Sequence, residues 1–188
     1  DDYNYSNSKA ILVTSIQTIV NGHSYFGMRE AGNYPIGSII IDDVHACMDK
    51  IIDQFMIKID AETDAYKELI ALFSSSLKDY NPKNYIDVVE MKDCRNNMLV
   101  PYWEWQRQQD NIYRILTKYN NSDNTSIYFG LPLIERCLET CDCIITASAI
   151  EISPKGIDLD KISSLEEASR RIYMSATLAD DSVFVSAL

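Results

Sequence analysis

Two short apolar runs, one near each end of the chain, are each followed directly by polar residues. Ile39-Ile40-Ile41 leads into Asp42-Asp43-Val44-His45, and Ile172-Tyr173-Met174 leads into Ser175-Ala176-Thr177. A continuous apolar run of this length is typical of a parallel strand that is buried on both faces. Ligands of open α/β sheets bind at the carboxyl ends of the strands. The pattern therefore predicts two buried strands whose polar ends line a ligand crevice.

The apolar pattern before residue 81 changes repeatedly between strand and helix periods. It predicts a buried strand over Lys9–Thr14, a helix capped by Ser15 that runs to Val20, a surface loop over residues 22–36, a helix from Val44, a short strand over Met56–Asp60 and a helix over Ala61–Tyr80. His45 then lies in the first turn of the helix that follows the first polar-ended strand.

The middle of the chain reads as mainly helical. Tyr85–Val89 fits a strand or a helix. The pattern favours helices over Pro101–Tyr119 and Leu131–Thr140, strands over Cys143–Ala147 and Ala149–Ile152, and a short helix over Leu165–Ala168. We therefore expect an α/β fold in which residues 1–55 and 141–188 belong to one domain and residues 56–140 form a mainly helical insertion.

Composition narrows the class of protein. A chain of 188 residues with 46% hydrophobic content can bury the core of one domain, or of one domain with a large insertion. The apolar stretches are too short to span a bilayer and the polar start is not a signal peptide, so we expect a cytoplasmic protein without a membrane partner. The net charge of −11 opposes binding to phosphate backbones if it is spread evenly.

Three of the five cysteines cluster as Cys137, Cys141 and Cys143. Their spacing leaves open a metal or iron–sulfur site, for which Cys47 or Cys94 would have to supply a fourth ligand. The alternative, which a cytosolic protein favours, is a set of reduced thiols that pack as small apolar side chains.

The two polar-ended runs resemble motifs II and III of the superfamily 2 DEAD/DEAH-box helicases. The resemblance rests on Asp42-Asp43-Val44-His45 and on the segment from Arg171 to Leu178. It implies a RecA-like parallel-sheet P-loop NTPase domain that binds ATP and Mg²⁺. In that family the residue at Asp42 holds the magnesium through water, the residue at Asp43 orients the attacking water, and the residue at His45 links motif II to the other motifs. Ser175, Ala176 and Thr177 would couple the nucleotide state to the nucleic acid.

Asp43 departs from the family pattern, which has glutamate at this position. Aspartate is one methylene shorter, and the placement of an attacking water is sensitive to about 1 Å. Hydrolysis by the intact protein could therefore be slower or use a relay. The structural alternatives are a helix cap at Asp42 and a first-turn acid at Asp43 that the helix dipole favours.

The chain lacks parts that such a motor needs. It contains no Gly-x-x-x-x-Gly-Lys-Ser/Thr phosphate loop, which the family places upstream of motif II, and no second motor domain. We therefore expect the isolated 188 residues not to hydrolyse ATP, and we expect exposed apolar surface where the rest of the sheet would lie. A long helical insertion between motifs II and III resembles, by its position, the arch domain of the repair-type DEAH helicases.

Thr14, Ser15 and Gln17 lie where the family has a motif that contacts the nucleic-acid backbone before motif II. Hydroxyl and amide groups at a strand end suit phosphate oxygens without reading bases. A simple helix cap is the alternative for these residues.

Aromatic residues in the insertion offer a second route to nucleic acid. Trp103, together with Tyr102, Trp105 and Arg107, would form a stacking platform for single-stranded bases. Packing in the core or between domains is the alternative for aromatic residues at this density.

The leading hypothesis is part of an ATP-dependent helicase or translocase that moves along nucleic acid, with single-stranded DNA as the expected track. A different class also fits: a motor remnant that no longer hydrolyses ATP and serves as a nucleic-acid-binding or protein-interaction module. Asp43 is the feature that favours this alternative. An RNA motor shares every motif that the sequence contains.

Overall fold

The computed structural model describes residues 5, 7, 10–28, 34–157 and 162–176. Two compact units divide the chain: Asp1–Gln54 with Ile157–Leu188, and Phe55–Gly156. In chain order the helices and strands are α1 (Ile16–Ile19), β1 (Ser38–Ile41), α2 (Val44–Gln54), β2 (Ile57–Asp60), α3 (Asp64–Tyr80), α4 (Pro82–Tyr85), a π turn (Ile86–Glu90), β3 (Asn97–Leu99), α5 (Tyr102–Arg107), α6 (Gln109–Lys118), α7 (Thr125–Ile134), a 3₁₀ helix (Glu135–Thr140), β4 (Asp142–Thr146), β5 (Ala149–Ser153), α8 (Ser163–Glu166) and β6 (Arg170–Tyr173).

The fold is α/β, with a two-stranded parallel sheet in the first unit and a four-stranded antiparallel sheet in the second. Both predicted polar-ended strands are present as β1 and β6, and the helix predicted from Val44 is α2. The predicted burial of the two strands is wrong, because Ile39 is the one buried residue of β1 and β6 has none. Within the described ranges, no helix combines the length and the apolar character that crossing a membrane requires.

The parallel sheet of the first unit has one partly covered face and one exposed face. Ile39 and Ile41 of β1 lie beside Val44 and Ile51 of α2, which are buried. On the opposite face, Ile40 is 63% exposed and its β6 partner Ile172 is 49% exposed. Because parallel sheets are normally covered on both faces, this apolar face has the character of a protein interior.

The strand predicted over Lys9–Thr14 is wrong for the described residues 10–14, which form neither strand nor helix. Ile11 and Val13 are 93% and 91% exposed. A strand is stabilised by hydrogen bonds to a neighbouring strand, and no strand in the described part of the chain pairs with this segment. Its β-branched composition alone does not fix a strand.

Helix α1 begins after Ser15 as predicted, although the Ser15 side chain makes no capping hydrogen bond to the helix backbone. Its hydroxyl instead lies 3.1 Å from that of Thr18. The predicted loop contains turns over residues 22–28. Gly27 has a φ of +139°, and a Cβ at this position would lie 2.5 Å from the backbone nitrogen of Ser163. Only glycine allows this close approach between the loop and α8.

The second unit contains an antiparallel sheet that the sequence pattern did not fully reveal. Its strand order is β2-β5-β4-β3, with Ile59 opposite Ile150 and Met98 opposite Ile145. The predicted insertion ended at residue 140, whereas β4 and β5 place residues 141–156 in this unit. The unit therefore keeps the predicted helical majority, but it also contains an antiparallel sheet that the prediction lacked.

Several helix boundaries in the second unit differ from prediction. The helix expected over Pro101–Tyr119 is two helices, α5 and α6, which meet at Gln108. The helix expected from Leu131 begins earlier, at Thr125, and is followed by the 3₁₀ helix. Tyr85–Val89, for which strand and helix were both open, spans the end of α4 and most of the π turn.

A buried polar network connects α5 to α3. Glu104 is 2% exposed and accepts hydrogen bonds from Arg107 and from Nε2 of Gln108 at 3.2 Å. Arg107 also donates to the Ser76 hydroxyl at 2.8 Å. Burial raises the pKa of Glu104, but the hydrogen bonds from Arg107, Ser76 and Gln108 outweigh it and hold this pKa below its ordinary value.

The clustered cysteines have partners other than a metal. The thiols of Cys137 and Cys141 donate to the backbone oxygens of Ile134 and Cys137, each at 3.4 Å. Cys143 is buried in β4, and burial strongly raises its pKa. Among the residues that the structure describes, no three His, Cys, Asp or Glu side chains are grouped to hold a metal ion. Cys141 and Cys143 therefore have the environment of packed apolar side chains, and Cys137 is half-buried beside them.

Candidate functional site

The two polar-ended strands are direct neighbours in the first unit. β1 and β6 pair in parallel, with Ile41 opposite Tyr173. Hydrogen bonding continues beyond the strands: the N–H of Met174 donates to the oxygen of Ile41 at 2.8 Å, and the N–H of Val44 donates to the oxygen of Met174 at 3.0 Å. The segments that carry Asp43 and Ser175 therefore leave the same edge of the sheet side by side.

The turn between β1 and α2 has an unusual backbone. Asp43 has a φ of +47°, in the left-handed region that side chains with a Cβ seldom occupy. Its N–H donates to Oδ1 of Asp42 at 3.0 Å. Aspartate and asparagine tolerate this conformation better than longer side chains, because their short polar groups can bond locally. The backbone of this turn is thus one that aspartate at position 43 tolerates.

Cys47, which the sequence suggested only as a fourth ligand of a cysteine cluster, connects the helix to this turn. Its N–H donates to the oxygen of Asp43 at 3.0 Å, and its thiol donates to the oxygen of Asp42 at 3.3 Å. Burial, followed by the charges of Asp43 and Asp42, raises the pKa of Cys47 and keeps the thiol protonated as a donor. The only sequence signal was its position four residues after Asp43, where a helix closes its first turn.

The predicted catalytic side chains are accessible at this edge. Asp42, Asp43 and His45 are exposed, and His45 lies in the first turn of α2 as predicted. Ser175 is half-buried and Ala176 is exposed, while Thr177 lies outside the described residues. The helix N-terminus carries only about half a positive charge, so an anionic ligand beside the two carboxylates would need a bridging cation.

A cleft with a cavity volume of about 60 Å³ lies beneath the sheet, between the inner face of β1 and α2. Its walls include Ile39, Met48, Ile51 and Leu165, and Asp42 and Asp43 do not line it. The cleft is a gap in apolar packing, whereas the carboxylates lie at the surface. A ligand of the carboxylates would approach from solvent and not through this cleft.

The chemistry of Asp42 and Asp43 suits a hydrated magnesium ion. Carboxylate oxygens are the protein ligands that Mg²⁺ prefers, and it commonly keeps several waters while one or two carboxylates and substrate phosphates complete its shell. Two exposed carboxylates at a strand end can fill this role. They cannot enclose ATP alone, because the chain has no glycine-rich phosphate loop.

The residues expected to contact a nucleic-acid backbone lie at the start of α1. Thr14 and Ser15 are exposed, and Gln17 is half-buried in the helix. The strand that was to present them is absent from the described residues 10–14, so their expected position at a strand end is wrong. The exposed hydroxyls of Thr14 and Ser15 could still donate hydrogen bonds to phosphate oxygens, as the prediction requires.

The predicted aromatic platform is only partly exposed. Trp105 is 2% exposed, donates its indole N–H to the oxygen of Leu138 at 2.7 Å and stacks on Phe73 with ring centroids 6.1 Å apart. Trp105 therefore belongs to the core of the second unit, as the packing alternative predicted. Arg107 is held by Glu104, whereas Trp103 is 51% exposed.

Comparisons with known proteins give no match: no family model, curated protein or solved structure resembles this chain significantly. Function is therefore inferred from the geometry and chemistry of the residues described above.

Proposed function

We propose that this chain is part of a RecA-like motor domain of an ATP-dependent helicase or translocase. The observation that carries the proposal is the parallel pairing of β1 and β6, which joins the Asp42–His45 segment to the Ser175–Ala176 segment at one sheet edge. The two segments lie far apart in sequence, and the motif resemblance requires them to be neighbours.

The proposed roles follow the positions of the side chains. Asp42, at the end of β1, would hold a hydrated magnesium ion on the phosphates of ATP. The ion would neutralise charge on the phosphates when it is bound. Asp43 would orient the attacking water, and His45 and Ser175 would link this turn to the strand that responds to nucleic acid. Cys47 would hold the Asp42–Asp43 backbone in position through its two hydrogen bonds.

The exposed apolar face of the parallel sheet also supports the proposal. Two strands alone form a marginal sheet, and Ile40 and Ile172 lie on a face with the composition of an interior. A larger RecA-like sheet with a covering layer would bury these side chains. The phosphate loop and the second motor domain, which the mechanism needs, would come from other segments of a longer protein.

The proposed track is nucleic acid, with single-stranded DNA as the first candidate. The charge of −11 means that this chain alone provides a weak electrostatic attraction for phosphates. The other segments of the motor would have to supply most of the lysine and arginine contacts.

The test is ATP turnover by the longest natural polypeptide that contains this chain, with and without single-stranded DNA, single-stranded RNA and duplex DNA. Asp42→Ala should abolish turnover, because it removes the magnesium ligand. Asp49→Ala is the matched control, since it removes the same charge from an exposed position on α2. Stimulation by one nucleic acid would identify the track.

The absence of turnover in the unaltered protein would refute the motor. If that protein still bound nucleic acid or a protein partner, the catalytically silent module would replace the proposal. Turnover that is equal in the Asp42→Ala and Asp49→Ala variants would place the ATP site elsewhere.

A further inference from the structure

A groove on the second unit, with a volume of about 410 Å³, exposes several aromatic side chains. Tyr80, Tyr102 and Trp103 are 59%, 67% and 51% exposed, and all three line this groove. Large apolar side chains that are grouped at a surface mark interaction sites, whereas single exposed ones are ordinary. Pro101 and Asn81 complete the wall beside them.

The aromatic rings in the groove meet edge to face, so they form raised edges with gaps between them and not a flat stacking surface. The ring of Trp103 meets Tyr80 at 5.5 Å with an interplanar angle of 76°, and Tyr102 at 5.3 Å with an angle of 82°. A base stacks on a ring face that is open and parallel to it. A polyproline II helix has three residues per turn. The pyrrolidine rings of its prolines dock between the aromatic side chains that line such grooves.

The groove also carries hydrogen-bond donors that have no acceptor in the described part of the chain. These are the indole N–H of Trp103 and the hydroxyls of Tyr80 and Tyr102. Asn81 uses its Oδ1 to accept the N–H of Asn84 at 3.2 Å, which leaves its NH₂ group as a further donor. A polyproline II segment makes no internal hydrogen bonds, so its backbone carbonyls are free to accept from such donors.

The net negative charge of the second unit favours a peptide ligand over a nucleic acid. Phe55–Gly156 contains 11 Lys and Arg against 15 Asp and Glu, so it repels a phosphate backbone. In the groove, the Asp142 side chain is 49% exposed, and the Lys155 Nζ is 3.9 Å from it, at the outer limit of an ion pair. Asp142 and Lys155 therefore form a weak, exposed ion pair in the groove, and the excess of acidic residues in the unit favours a peptide with a basic residue over an acidic one.

We propose that this groove binds a proline-rich peptide segment in the polyproline II conformation, with a basic residue next to the prolines. Trp103 is the central anchor, since it contacts both tyrosines and combines a large ring with a donor. This site lies within the second unit and does not depend on the proposed motor function.

The test uses the 188-residue chain and a fluorescently labelled proline-rich peptide with one terminal arginine, with binding followed by anisotropy. Trp103→Ala should weaken binding by about 30-fold, the effect of losing a tryptophan hot spot. Tyr113→Ala is the matched control, because Tyr113 is 46% exposed on α6 outside the groove, and it should leave binding unchanged. Tyr102→Ala provides a second groove variant if circular dichroism shows that Trp103→Ala is unfolded.

Two further comparisons test the ligand class. A peptide with its prolines replaced by alanine should bind at least tenfold more weakly, and Asp142→Asn should reduce the preference for the peptide that contains arginine. Equal binding of the proline and alanine peptides would overturn the proposal, as would binding that is unchanged in both groove variants. Binding of a thymidine oligonucleotide in preference to the peptide, with loss in Trp103→Ala, would assign the groove to single-stranded nucleic acid instead.

Discussion

The left-handed backbone of Asp43 leads to a prediction about why aspartate, and not glutamate, follows Asp42. An L-residue in this region costs roughly 1–2 kcal/mol relative to its right-handed conformation. Glycine avoids this cost but loses about 0.5–1 kcal/mol more conformational entropy on folding. With φ at +47°, Asp43→Gly should therefore raise the free energy of local unfolding by about 0.5–1 kcal/mol.

Glutamate and alanine should have the opposite effect. In the left-handed region, the short polar side chain of aspartate can hydrogen-bond to nearby groups better than the side chain of glutamate or alanine can. Asp43→Glu and Asp43→Ala should therefore each lower the free energy of local unfolding by about 0.5–1 kcal/mol. The turn would then explain the departure from the family pattern through its backbone. Aspartate at position 43 would not by itself mark a silenced site.

Amide hydrogen exchange of Cys47 is the direct assay, because its N–H donates to the oxygen of Asp43. A change of 1 kcal/mol corresponds to about a fivefold change in protection. Protection should decrease in the order glycine, aspartate, then glutamate and alanine together. Both tryptophans lie in the second unit, so their fluorescence on denaturation serves as an internal control. Glutamate that protects as well as aspartate would refute the reasoning.

Three further predictions concern stability. Trp105→Ala should cost about 3–5 kcal/mol in urea unfolding, while the exposed Trp103→Ala should cost less than about 1 kcal/mol; equal costs would contradict the burial of Trp105. The pKa of Glu104 is held below its ordinary value, so its stabilisation is present above the ordinary glutamate pKa and is lost as the pH falls through the lowered value. Glu104→Gln should therefore be less stable than the unaltered chain at neutral pH and lose less stability in acid, and parallel pH profiles would refute this. Gly27→Ala should cost about 1–3 kcal/mol because of its positive φ and close packing. Gly37→Ala, where a Cβ meets nothing within 4 Å, is the matched control in thermal unfolding; equal effects would contradict the packing.

The elements that were predicted correctly carry strong local signals. β1 and α2 differ sharply in apolar period, so the change from strand to helix at Val44 is visible in the sequence. The buried positions Ile112, Ile115 and Leu116 of α6 follow the helical spacing that predicted a helix within Pro101–Tyr119.

The errors arise where tertiary contacts decide the structure. The segment over Lys9–Thr14 has strand composition, but its described residues lack a pairing partner and remain exposed. β3 is short and begins with a polar residue, so only its pairing with β4 identifies it. β4 and β5 pair with each other and with strands of the second unit, which moved the boundary from residue 140 to residue 156.

Some features of the candidate site were likewise visible in the sequence, and others depend on the fold. Asp42, Asp43, His45 and Ser175 were visible as polar residues after apolar runs, and the parallel ladder joins the two segments. The left-handed turn and the hydrogen bonds of Cys47 depend on backbone geometry that no residue pattern encodes. Trp103 and Trp105 look alike in sequence, and only packing separates the exposed ring from the core ring.

The central claim is that the ends of β1 and β6 act as one site. A double-mutant cycle between His45→Ala and Ser175→Ala, measured as nucleic-acid-stimulated ATP turnover of the longer protein, tests it most directly. We expect each variant to lower turnover and the double variant to lose much less than the product of the two single effects. Independent, multiplicative effects, or no effect from either variant, would contradict a joint site at this edge of the sheet.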